Sequence, residues 1–355
     1  MRKTLMVFSL TLFLLAALDT LVATTLGWAG RSGHLGALVR YFEYGRSVPG
    51  KLAQWEQNPD IRGNLYDVAW RQEAIARSAD RFETEDAGPV IRSYGMSFVN
   101  NILRNAVKLQ PDLNWDAHAG PSAPPNFTFA LFQEDRENRR PGDIVVLGIL
   151  SSSVPGMAAL SNRTWAFEQP APFTYPVYWP EGDRLRRVEP LISSAAEQRA
   201  LADDAAAARA WSTQMAAEDA FTSPITFGAV WADHLPFLRL VRRSLAKSHI
   251  ASTEDAILAG EYPYAEVLQR MIAEFSDTAR ADGQTPIVML IQSRDPRDAD
   301  VLAIAKPILE RDNILYLATA EHFDPRDPSG FLGDGHYKPR MDRLFAEHFI
   351  DAIEQ

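Results

Sequence analysis

Three side chains able to run nucleophilic chemistry together lie far apart in this chain: Ser97, Asp334 and His336. A hydroxyl becomes a useful nucleophile when an imidazole removes its proton and a carboxylate holds that imidazole in the right tautomer. Ser97 follows a short apolar run, 90–95, and opens a helical pattern in which Phe98, Ile102 and Val107 are separated by polar residues. At such a junction the hydroxyl sits near the positive end of the helix dipole, which favours developing negative charge. Serine is also a preferred helix cap, so Ser97 by itself implies only a helix start. The second half of the pattern lies in the stretch Gly333-Asp334-Gly335-His336, just before the final helix. Its two glycines allow a backbone path that a packed structural loop rarely needs.

Positioning these groups requires a sheet whose loops converge. Residues 90–95 read as a buried strand, 97–109 as a helix and 113–118 as a second strand. A helix over 127–137, capped by Asn126, and a strongly apolar strand at 144–150 follow. After a break the alternation resumes with a helix at 264–281, a strand at 286–291, a helix at 298–310 and a strand at 314–317. A closing helix ends near 353. Strands alternating with helices predict a three-layer α/β/α domain with a parallel sheet. Loops at the strand C-termini of such a sheet meet at one edge, so Ser97 and the Asp334/His336 loop are expected to face each other. The break, 151–260, reads as an insertion beside that edge, where insertions commonly shape substrate access. It contains a hairpin across 173–188, an alanine-rich helix at 194–217 and a basic-faced helix at 236–246.

Upstream, Arg2 and Lys3 precede an apolar run to Leu18, then Asp19, then a second apolar run to Ala29. Cations ahead of an apolar segment keep the N-terminus cytoplasmic and send the remainder outward. Residues 1–30 are therefore expected to be a signal-anchor helix or a signal peptide. The catalytic region would lie outside the cytoplasm, and would be secreted if the leader is cleaved. Residues 31–88 read as a lead-in packing on the main domain, 89–355.

The 355 residues carry 36 basic and 46 acidic side chains, a net charge of -10, with no long basic run after the N-terminus. That argues against a nucleic-acid partner. Cysteine is absent, which excludes disulfides, thiolate metal sites and a cysteine nucleophile. His34, His234, His249, His322 and His348 show no metal-ligand spacing, and no motif calls for a cofactor. His118, at a strand end, reads as structural. The runs Asp298/Asp300 and Asp324/Asp327 read as solvated loop carboxylates, and the sequons at Asn126 and Asn162 as chance matches.

In their order along the chain, these motifs resemble the SGNH (GDSL-type) hydrolase superfamily over about 89–150 and 262–353, and the resemblance implies a flavodoxin-like strand order. The resemblance implies Ser97 as nucleophile with its own N–H as an oxyanion donor, His336 as general base and Asp334 as its orienting partner. It implies Gly120 as the glycine after the second strand, adding an N–H to the oxyanion hole. Met96 stands where the family usually has an aspartate. Asp334 and His336 are two apart rather than three, and Asp327 is the alternative acid. No asparagine follows the third strand, which leaves Ser151, Ser152 or Asn126 as the further donor. An esterase or acyltransferase is implied, acting on a small acyl ester or on acyl groups of an extracellular polysaccharide. The alternative is an inactive descendant that binds a glycan or an envelope assembly partner. The aromatics Trp165, Phe167, Phe173, Tyr175, Tyr178 and Trp179 would suit sugar stacking or, equally, packing.

Overall fold

A computed structural model describes residues 2–31, 69–79, 89–166, 171–227 and 231–354. They fall into two compact units. One holds the N-terminal helix with Asn162–Pro172 and Ala220–Thr253; the other holds Val68–Ser161, Phe173–Asp219 and Glu254–Gln355.

In the first unit, α1 (Arg2–Arg31) is one uninterrupted helix. Its 30 residues extend about 45 Å at 1.5 Å per residue, against about 30 Å of bilayer hydrocarbon. It is long and apolar enough to cross a membrane or to act as a signal. Large apolar side chains from Leu5 to Leu18 are exposed along it.

The second unit begins with α2 (Arg71–Ala79), the described part of the lead-in; 32–68 and 80–88 lie outside the described residues. Then come β1 (Val90–Gly95), α3 (Ser97–Leu109), β2 (Asn114–Ala119), α4 (Pro125–Glu134) and β3 (Ile144–Leu150). A hairpin of β4 (Val177–Glu181) and β5 (Arg184–Val188) and the helix α5 (Ala205–Glu218) follow. Beyond α6 (Pro236–Ala256), the chain returns with α7 (Tyr264–Ala281), β6 (Thr285–Ile291), α8 (Val301–Arg311), β7 (Leu315–Ala318) and α9 (Pro339–Ile353).

The main sheet is five-stranded and wholly parallel, in the order β2-β1-β3-β6-β7. Helices α3 and α9 pack together on one face, while α4, α7 and α8 cover the other. Central β1 is buried throughout and β3 nearly so, as their apolar runs require, whereas edge strand β2 alternates. The direction of winding reverses between β1 and β3, so the crevice at their C-terminal ends is the switch point of the fold. Helix α2 packs against β2 and α4, with Arg71 paired to Glu134 and Glu189 at 3.2 and 3.3 Å.

Several elements differ from expectation for local reasons. Asn126 does not cap α4: that helix starts at Pro125, whose fixed φ suits the first helical position, and Asn126 lies within it. The alanine-rich stretch breaks in two because Asp204 accepts from the Ala206 and Ala207 amides and starts α5 afresh. Asp300 likewise caps α8 through Ala303, so α8 begins at Val301. The expected insertion divides between the two units. Its aromatics Phe173, Tyr175 and Tyr178 are core, packed on Phe127 and Phe129, and so offer no sugar platform. Phe167 lies outside the described residues.

Candidate active site

Strand β1 carries the chain to the sheet edge. Met96, buried and extended, is the cap residue of α3, and its thioether makes no capping bond. Ser97 is then the first helical residue, and its N–H belongs to the first-turn amides that have no intrahelical acceptor. Two glycines set how closely α3 approaches. A Cβ on Gly148 would lie 2.5 Å from Val99 Cγ2 and 3.2 Å from Gly95 Cα, and one on Gly95 2.9 Å from Val99. With neither Cβ present, α3 can start directly over β1 and β3, which places Ser97 at the switch point.

His336 arrives on a small closed loop. Phe331 and Tyr337 form an antiparallel bridge. Inside it, the Leu332 amide donates to the His336 carbonyl at 2.7 Å and the Gly335 amide to the Leu332 carbonyl at 3.2 Å. Gly335 has φ +92°, a conformation costly for any residue with a Cβ. The Tyr337 hydroxyl pins the loop to the ends of β6 and β7, lying 2.5 Å from the Gln292 carbonyl and 3.0 Å from Thr319 Oγ1. Phe98, the residue after Ser97, stacks on the His336 ring at 4.8 Å.

Together these supports bring the three groups into line. Ser97 Oγ lies 2.7 Å from His336 Nε2, and His336 Nδ1 lies 3.2 Å from Asp334 Oδ2. Asp334 Oδ1 accepts the backbone N–H of His336 at 3.1 Å. The two-residue spacing therefore lets one carboxylate hold both the main chain and the ring of the same histidine. That amide, followed by the charge of His336, holds the Asp334 carboxyl below the usual aspartate range. Asp327 instead accepts from the amide and hydroxyl of Ser329, both at 2.8 Å.

The expected oxyanion donors divide sharply. The Gly120 amide donates to the Gly95 carbonyl at 3.2 Å, continuing the β1–β2 ladder, so it is engaged there rather than in an oxyanion hole. Glycine at 120 has a packing reason: a Cβ would lie 2.9 Å from the Phe127 ring. Asn126 is fully buried, and its amide donates to the carbonyls of Pro176 at 2.6 Å and Met157 at 3.3 Å. It is thus a tie to the segment after β3, not an oxyanion donor. Ser151 Oγ accepts the Ser293 amide at 2.8 Å and lies 2.5 Å from Ser293 Oγ, linking the ends of β3 and β6. Ser152 is half-buried on the 3-10 turn that follows β3, and among the described residues its hydroxyl is the one of the four with no hydrogen-bond partner.

A second polar cluster lies buried on the α4 side of the sheet. Arg92 pairs with Asp116 at 3.1 Å and Asp143 at 3.0 Å, and His118 Nε2 lies 3.2 Å from Asp116 and 3.4 Å from Asp135. The Tyr94 hydroxyl donates to Asp135 at 2.6 Å, and its ring stacks on His118. Burial, and next the Asp135 charge, push the Tyr94 hydroxyl well above its ordinary range. The signal for this cluster was present in the sequence: Arg92 interrupts an apolar strand, and Asp116 and His118 fall on alternate residues of the next. What pairing partner each had was not visible.

Asp342 was also missed. It is buried in the first turn of α9, with Oδ1 unpartnered, and burial raises its carboxyl to about 6 against the opposing pull of His336 and Arg104. Among the described residues no group of three or more His, Cys, Asp or Glu side chains is placed to hold a metal ion. No protein-family model matches the chain, and no curated protein matches it in sequence.

Proposed function

We propose that the chain is an SGNH-type serine esterase or acyltransferase, tethered to a membrane by α1 with its catalytic unit on the outer, periplasmic side. The observation that carries this reading is the line from Ser97 Oγ through His336 to Asp334, at 2.7 and 3.2 Å. Ser97 Oγ adds to an ester carbonyl while His336 Nε2 takes its proton, and Asp334 stabilises the imidazolium. The oxyanion meets the Ser97 N–H at the positive end of α3. Ser152 is the remaining side-chain donor in place of the asparagine the superfamily carries. Collapse of the tetrahedral species returns the proton to the leaving alcohol and leaves an acyl group on Ser97. Water, or a sugar hydroxyl, then removes it by the same steps reversed. The parallel sheet, its flavodoxin-like strand order and the placement of Ser97 after β1 support the superfamily. An exported glycan carrying O-acyl groups is the substrate class that fits a tethered, outward-facing enzyme.

A second reading has its own observation. With the amide of Gly120 engaged in the ladder, the oxyanion hole is one donor short, a loss of typically about 3 kcal/mol of transition-state stabilisation. That deficit fits a non-catalytic descendant binding a glycan or an envelope partner. One experiment separates the two. The full chain in detergent is treated with a fluorophosphonate probe and with p-nitrophenyl acetate, alongside Ser97→Ala. Labelling and turnover that both vanish in Ser97→Ala are expected; a wild type indistinguishable from the variant would overturn the enzyme.

A further inference from the structure

Asp19 interrupts the apolar face of α1, and its position along the helix fixes its depth. Lys3 and Asp19 are 16 residues apart, about 24 Å along the axis, while the hydrocarbon core is about 30 Å thick. With Lys3 at the inner boundary, Asp19 lies inside the core. If instead Trp28 marks the outer boundary, Asp19 lies about 13 Å beneath it. Both placements put a carboxylate in hydrocarbon, where it needs a partner.

The first unit supplies one. Asp19 Oδ1 accepts the backbone N–H of Phe237 at 2.8 Å, in the first turn of α6. An amide from that turn has no intrahelical acceptor, and the dipole there favours the carboxylate. The start of α6 is therefore held at the depth of Asp19. The residues around it are apolar and open: Trp231 is 74% exposed, Leu235 36%, Val241 43% and Leu245 52%, with Ile225 nearby.

We infer that this segment is a second membrane contact: Trp231, Leu235, Val241 and Leu245 seat in the lipid leaflet that surrounds the C-terminal half of α1. Exposed apolar side chains held at hydrocarbon depth leave water for acyl chains, a gain of about 25 cal/mol per Å². A single helix lets the outer domain swivel freely about its anchor; a second contact in the same unit fixes that unit's orientation on the leaflet. The inference rests on reading α1 as a membrane span.

A chain without cysteine makes the test direct, since any introduced thiol is unique. Full-length Leu235→Cys and Val241→Cys carry an environment-sensitive nitrobenzoxadiazole label in vesicles of phosphatidylcholine and phosphatidylglycerol, with spin-labelled lipid as quencher. Leu12→Cys in α1 serves as the lipid reference and Glu310→Cys on the exposed face of α8 as the water reference. All four replace exposed side chains. The expected result is quenching at 235 and 241 within twofold of that at 12, with none at 310. Labels at 235 and 241 that behave like 310 while 12 is quenched would overturn the inference and leave the span intact. An unquenched label at 12 would overturn both.

Discussion

His336 and His118 each face an aspartate within the same α/β unit, yet their surroundings differ in kind. The His336 side chain is 32% exposed at the switch point, with one ring nitrogen on a hydroxyl and the other on a carboxylate. The His118 side chain is 0% exposed, its Nε2 shared between two carboxylates and its Nδ1 unpartnered. His336 sits on a loop closed by the Phe331–Tyr337 bridge and pinned by the Tyr337 hydroxyl, with its part-exposed ring beside the Ser97 hydroxyl. His118 sits among Arg92, Tyr94 and three aspartates, where any change of charge would leave a buried partner uncompensated. A histidine–aspartate pair is therefore no mark of catalysis by itself. What separates the two is exposure and the Ser97 hydroxyl on the second ring nitrogen.

The largest expected effects test that separation directly. His336→Ala should lower p-nitrophenyl acetate turnover by about 10³–10⁴-fold while changing unfolding stability by less than about 1 kcal/mol. His118→Ala should do the reverse, costing about 2–4 kcal/mol in urea unfolding with kcat per folded molecule retained. An interchange of these outcomes would break the comparison.

Gly148→Ala probes how the scaffold reaches the open site. The new Cβ would drive against Val99 at 2.5 Å, so α3 must shift. We expect a cost of about 1–3 kcal/mol together with a fall in turnover of about 10²-fold, because a small displacement of Ser97 spoils attack geometry. Loss of stability with full turnover would show that Ser97 is placed by something other than the glycine pair.

The smallest effect concerns Asp342, buried like His118 yet close to the open site. Its folded value of about 6 lies above the ordinary 3.8, so the native state holds the proton longer than the unfolded chain. Stability should therefore fall as pH rises from about 4 to about 6, by at most about 3 kcal/mol. Asp342→Asn should abolish that slope in urea titrations across the window. A wild type whose stability rises over the same window, after Asp334 and the other carboxylates are allowed for, would place Asp342 outside the buried class.

Much of the scaffold is legible in the residue pattern. Ile144–Leu150 is apolar because both of its faces are covered, and that run is visible without any partner. The meeting of Ser97 with Asp334 and His336 was also legible, since Gly333, Gly335 and the last helix mark out the Asp334/His336 loop. The donors were not. Gly120 looked like an oxyanion glycine but serves Phe127, and Asn126 looked like a cap or a donor but ties Met157 and Pro176. A polar side chain advertises its chemistry and not its partner. The insertion aromatics failed the same way, since stacking on a sugar and stacking on Phe127 demand the same residue types.

By itself the sequence determined what depends on neighbours along the chain: strand and helix periodicity, the apolar leader, the absence of thiol chemistry and the turn that carries Asp334 and His336. Tertiary structure alone decided which hydrogen-bonding groups were already spent. It joined Ser97 to His336 across 239 positions, closed Asp334 onto the ring, and engaged Gly120, Asn126 and Ser151 in hydrogen bonds within the fold. The reason is physical. Periodicity is a local property set by backbone geometry, whereas a donor's availability depends on every acceptor the folded chain brings within 3 Å of it.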